Sequence, residues 1–253
     1  MDELIRELYG RPEPAPHAQT RVWRRITLRR RRRRLSWPAI VPATAAALAL
    51  FLLMPREQPV DTGREILLTA AGSAASATSR GTYWHVKKVY DGVRETDLWV
   101  TRQGGAWTAE QGRVTRVTGR SPFSMAGRDL SFDQIQALPS DPGELRERVA
   151  AMLPAGSRGL LADALGGLLW TKPSPPGVRA AAYRALADLP EVRYLGTATD
   201  DRGRDGEAFS FALPTGVRRT LIIDPATSQV LSSEDGTRSE LVLTAGWTDE
   251  GPL

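Results

Sequence analysis

The sequence holds no cysteine, no asparagine, only three lysines and only two histidines in 253 residues. The first absence excludes disulfides, a thiolate nucleophile, cysteine-ligated zinc and the acylated cysteine of a lipoprotein anchor. The second excludes N-linked glycosylation. A domain exported without disulfides must stand on its hydrophobic core, which a domain of about 200 residues can supply. Motifs of catalysis are missing too. No Gly-x-Ser-x-Gly elbow accompanies His85. Gly104-Gly105 and Gly166-Gly167 lack the spacing and the strand-to-helix setting of a phosphate loop. The carboxylate pairs Asp200-Asp201 and Asp249-Glu250 fall in turn-like or terminal stretches and read as solvated surface. No catalytic residue, metal or cofactor is expected, and the chain reads as a non-enzyme.

A net charge of +5 and a pI near 9.9 invite a nucleic-acid reading. The charge is local, however. Residues 1–34 carry eleven arginines and four acids, or +7, so the remainder of the chain stands at −2. A nucleic-acid groove needs cations spread over a folded face, usually among stacking aromatics. No nucleic-acid partner is expected.

Leu35 to Met54 (LSWPAIVPATAAALALFLLM) contains no charge. At about 1.5 Å per residue it is long enough for the ~30 Å of a hydrocarbon core. Arg29, Arg30, Arg31, Arg32, Arg33 and Arg34 precede it directly, and Trp37 lies where an interfacial aromatic belongs. The positive-inside rule assigns 1–34 to the cytoplasm as an arginine-rich tail, 35–54 to a transmembrane helix and the rest to the outer side. Pro38 and Pro42 fall in the first turns, where a missing N–H matters least. His17 and His85 then lie on opposite sides of the membrane and cannot share a metal. Val22, Trp23, Ile26 and Leu28 among arginines suit a basic helix on membrane lipid, with a docking site for a cytoplasmic partner as the alternative.

Beyond a linker within 55–80, Asp61 or Thr62 is placed to cap a helix to about Ser79, with Ile66, Leu67, Ala70, Ala71 and Ala74 apolar. The period then changes to two. Thr82–Tyr90 ends at Asp91-Gly92, a type I′ hairpin signal, and Glu95–Arg102 returns. Trp84 and Val86 oppose Tyr83, His85 and Lys87, while Leu98 and Val100 oppose Trp99. Ala106–Thr108 and Arg113–Thr118 extend the meander. Residues 131–183 have helical character, with Ser140 or Asp141 as a cap before Pro142 and further helices near 157–170 and 175–189. Strands return at about 192–199, 208–213, 218–224, 229–233 and 241–248. Strands, helices and strands again, joined by hairpin-length links, point to an α+β fold with an antiparallel sheet over 81–253.

The order of these motifs resembles a family of actinobacterial single-pass membrane proteins encoded near extracytoplasmic-function sigma factors. The resemblance runs over most of 20–235. It is carried by the arginine run before one span, Tyr83-Trp84-x-Val86-Lys87, Trp99, Leu138-Pro139-x-Asp141-Pro142-x-x-Leu145, the segment from Arg179 to Val192, and Arg218-x-x-Leu221-x-x-Asp224-Pro225-x-Thr227. Ser228 stands where that pattern has glycine. The resemblance implies an outer domain like the lipoprotein-carrier group (LolA-like, RseB-like), a curved antiparallel half-barrel packed on helices around an apolar cavity. It implies no activity. Two functions follow as expectations, with a structural interaction module in the cell envelope as a third. One is an anchored binding or regulatory protein reporting to a cytoplasmic sigma factor or an envelope protein; the other is an anchored carrier of a lipid or other amphiphile. Trp84, Trp99 and Trp107, on successive strands, are the candidate lining of a hydrophobic ligand cavity, with ordinary core as the alternative.

Overall fold

A computed structural model of the chain describes residues 60–252 apart from 155, 156 and 158. The arginine-rich tail, the 35–54 span, Arg29 to Arg34 and Trp37 lie outside the described residues. Among those described, no helix is long and apolar enough to cross a membrane. The described part is α+β, as the order of elements implied.

Helix α1 (Val60–Ser76) starts earlier than its expected caps, so Asp61 and Thr62 lie inside its first turn. It packs on α5 (Pro176–Ala187) and on β7 (Arg193–Thr199), and therefore belongs to the domain rather than to a linker. Ala70, Ala71 and Ala74 are fully buried on it, and α5 buries Ala180, Ala181, Ala182 and Ala185. Small side chains let two helix backbones approach closely. Gly63 makes a similar allowance toward the sheet, since a Cβ there would stand 2.6 Å from the Cβ of Tyr194.

The sheet has nine antiparallel strands and is open. β1 (Tyr83–Tyr90), β2 (Arg94–Thr101), β3 (Ala106–Glu110) and β4 (Arg113–Arg116) form one meander. β7, β8 (Asp205–Ala212), β9 (Arg218–Asp224), β10 (Gln229–Glu234) and β11 (Ser239–Thr248) form the other. The two join where β1 pairs with β11, Tyr83 opposite Thr248 and Tyr90 opposite Glu240. Between the meanders the chain makes a small hairpin, β5 (Ser124–Met125) and β6 (Arg128–Asp129), and then the helices. α2 (Phe132–Gln136) begins at a Ser131–Gln134 capping box. In α3 (Pro142–Met152) Asp141 accepts from the N–H groups of Gly143 and Glu144, with Pro142 in the first turn. α4 (Leu160–Trp170) buries residues around most of its circumference, as a helix inside a layered core does.

The turn after β9 shows what the Arg179–Tyr183 spacing is for. Ser228 takes φ 56°, a left-handed backbone that glycine adopts more readily than serine. Its buried carbonyl accepts from the Arg179 guanidinium at 2.9 Å and from the Tyr183 hydroxyl at 3.0 Å, so α5 pins the turn. Burial raises the Tyr183 pKa and lowers that of Arg179, and both groups act as hydrogen-bond donors. Elsewhere β10 and β11 are paired only over Ser232–Glu234 and Ser239–Leu241. Past that point Arg204, ion-paired to Asp200, bridges the carbonyls of Leu231 (3.1 Å) and Val242 (2.7 Å).

Candidate functional site: a cavity between sheet and helix

The face of β1–β3 toward the helices, the segment 117–129 and α4 bound a cavity of about 740 Å³. Sites for small organic ligands occupy about 300–1,000 Å³. The floor is built by register: Val86 faces Leu98, and Leu98 faces Thr108. Phe123 and Met125 wall one side and Phe211 and Leu221 another, all four buried. Trp170, at the end of α4, belongs to the same lining.

Cations share this lining. The Lys88 ammonium donates to Glu240 at 3.0 Å and lies 4.8 and 5.0 Å from the ring centres of Tyr90 and Trp170. Arg219 ties α4 to the sheet by bonding Asp163 and, at 2.8 Å, Asp235. Burial by itself would lower the Arg219 pKa, but the two carboxylates outweigh it and hold the group charged. Lys172, two residues past α4, is 5% exposed. Its ammonium donates to the Thr171 hydroxyl at 3.1 Å, and that hydroxyl donates onward to the Gly167 carbonyl at 2.6 Å. No carboxylate touches Lys172 among the described residues. Burial pushes its pKa down to about 8, with the Asp163 charge pulling it back and the Lys88 charge pressing it lower. A Cβ on Gly167 would stand 2.9 Å from the Lys172 Nζ, so the glycine makes the space the ammonium occupies.

The three tryptophans singled out from the sequence do not line this cavity together. Trp84 points to the helix side, 2% exposed, and meets Trp247 edge-on at 6.0 Å. Trp99 and Trp107 are cross-strand partners on the opposite face, Trp99 with His85 and Trp107 with Tyr83. The reason is one residue. A hairpin closed through Asp91-Gly92 alone sets Tyr90 opposite Val93 and Trp84 opposite Trp99. Asp91 and Gly92 do take positive φ, 51° and 73°, as a type I′ turn requires. Val93, however, is left over, 89% exposed, and Tyr90 pairs with Arg94. That shift puts Val100 opposite Trp84 and sends Trp99 to the other side.

His85 is held on that outer face. Its Nε2 lies 2.7 Å from the Asp97 carboxylate, and its ring stacks on Trp99 at 4.7 Å and 3° between planes. No serine hydroxyl hydrogen-bonds to it among the described residues. The arrangement clamps β1 to β2. Among the described residues no three His, Asp or Glu side chains gather as a metal site needs.

The residues that sequence reasoning passed over are Lys88, Lys172, Trp170 and Arg219. One signal was present. Only three of the 34 basic residues are lysines, and two of those three line the cavity. Compared with protein-family models and with curated proteins, the chain matches none.

Proposed function

We propose that the chain is a membrane-anchored extracytoplasmic binding and regulatory protein whose folded domain holds a small amphiphile between sheet and α4. The observation that carries this is the cavity of about 740 Å³, whose lining sets apolar side chains such as Val86, Leu98, Phe123 and Met125 beside cations and carboxylates. The uncharged 35–54 run behind Arg29 to Arg34 supports the anchor and its orientation. The open antiparallel sheet, the helices on one of its faces and the cavity between them support a lipoprotein-carrier-like arrangement. In this reading the arginine-rich tail contacts inner-leaflet lipid and presents the state of the outer domain to a cytoplasmic partner such as a sigma factor.

Native mass spectrometry of the full chain, released from mild detergent, tests the binding role. A retained mass of a few hundred daltons, removed by organic extraction, is the expected result. A clean protein mass that stays unchanged after incubation with envelope lipids counts against it. The absence of cysteine makes topology equally accessible. In intact cells a membrane-impermeant maleimide should label Val93→Cys and leave Thr20→Cys untouched; the reverse pattern inverts the orientation.

A further inference from the structure

We infer that the ligand is an anion: an amphiphile whose carboxylate or phosphate head group seats on the Lys172 ammonium, with its apolar part over Val86, Leu98, Phe123 and Met125. This rests on the cavity being a binding site and adds the chemistry of what binds.

An ammonium has three N–H donors and no acceptor, and a buried charge is costly unless paired and hydrogen-bonded. Lys172 uses one donor, on a neutral hydroxyl. Among the described residues five carboxylates share its cavity lining, and none of them touches Lys172: Asp163 bonds Arg219, Glu240 bonds Lys88, Asp97 bonds His85, Glu110 faces Arg94, and Asp129 stands on the small β5–β6 hairpin. Two other cations of the domain, one half-buried and one buried, have more acceptors. Arg204 has the Asp200 carboxylate and two strand carbonyls, and Arg179 has the carbonyl and hydroxyl of Ser228. Arg179 and Arg219 each leave a buried Nε without an acceptor, but Arg179 lies outside the cavity lining and Arg219 is held by two carboxylates; Lys172 is the buried cation that lines the cavity and touches no carboxylate among the described residues. Gly167 clears the room around it, and Lys88 brings a second ammonium to the same lining. An anionic head group supplies the missing acceptors and the missing charge together. A neutral amphiphile supplies at most the acceptors.

The chain's composition provides the test. With three lysines and four methionines, full-length protein in non-ionic detergent, labelled at lysine Cε and methionine methyl carbons, gives few and assignable NMR signals. Met125 reports occupancy of the cavity, Lys172 reports charge contact, and Lys87, ion-paired to Glu95 at 2.6 Å outside it, is the reference. The probes are octyl phosphate, octanol and inorganic phosphate, titrated at measured free concentrations. Octyl phosphate is expected to move both Met125 and Lys172 and to bind about tenfold tighter than octanol, since a charge-assisted contact is gained. Lys172→Met should erase that preference while octanol still moves Met125. If octanol and octyl phosphate bind equally and Lys172 does not respond, the anion inference is overturned and the binding role stands. If no probe moves Met125, both fall. If inorganic phosphate binds Lys172 as tightly as octyl phosphate, the site takes a free anion and the amphiphile inference is overturned. The wild-type titrations decide among these outcomes even if the variant fails to fold.

Discussion

The layer between helices and sheet has a filled half and a hollow half. Where α1 meets α5 and β7, the contacts are alanine against alanine and a glycine against the Cβ of Tyr194. Where α4, β1–β3 and the segment 117–129 bound the cavity, the lining includes tryptophan, lysine and arginine around unfilled space. Close packing brings dispersion contacts and leaves no room; long charged side chains hold elements apart at their tips. One end of the core is thus built for stability, and the other gives up packing density for a chamber. Loss of packing is tolerable only if something is gained, which is the physical reason to look for a ligand there.

Two glycine substitutions probe the contrast, and the larger effect belongs to the filled half. Gly63→Ala gains helix propensity but drives a methyl into a Cβ that cannot swing aside. A net loss of about 1–3 kcal/mol is expected in urea unfolding; an unchanged midpoint would mean α1 is not seated as described. Lys172→Met should act in the opposite direction. It removes a buried ammonium with one neutral acceptor, and unliganded protein at neutral pH should gain on the order of 1–3 kcal/mol. A destabilised variant would show that Lys172 has a partner in the empty protein.

The same lysine predicts a pH dependence of definite sign. Its folded pKa is about 8, below its ordinary 10.5. Below both values the two states bind the proton alike and the folded state carries the cost of burying it. Between them the unfolded chain keeps the proton and the folded one has released it, so this group makes stability rise with pH across that window. Asp163 and Lys88 face it with opposite signs, and other groups titrate in the same range. The measurement is therefore the wild type minus Lys172→Met, which should show the rise; a flat difference contradicts the buried charge. Smallest of all is Gly167→Ala. Its methyl meets the far end of a flexible lysine, and alanine favours the helix by up to about 1 kcal/mol. Stability should hold or rise slightly while octyl phosphate affinity falls, the reverse of what the equivalent change at Gly63 does.

Much of the fold could be read in advance, because local chemistry carried it. The period of two in Tyr83-Trp84-His85-Val86 and the Asp141-Pro142 start of a helix are properties of neighbours in the chain, and both elements stand where expected. The β5–β6 hairpin escaped notice because two-residue strands leave no periodicity to detect. Its turn, Ala126-Gly127, puts a non-glycine residue at φ 49°, against local preference. The candidate site escaped for a different reason. Lys88 lies on a strand, Trp170 ends a helix and Arg219 comes from the second meander, so no window of sequence contains them together.

By itself, the sequence determined the class of the domain, the segments that become strand and helix, the uncharged 35–54 run and the absence of thiol chemistry, since each depends on composition or on residues a few positions apart. Only the tertiary structure decided which face each side chain took. The single unpaired residue Val93 moved a register by one and sent Trp99 away from Trp84, and long-range packing assembled Lys88, Lys172 and Trp170 around one space. Register and cavity are relations between distant segments, and alternation within a strand leaves both of them open.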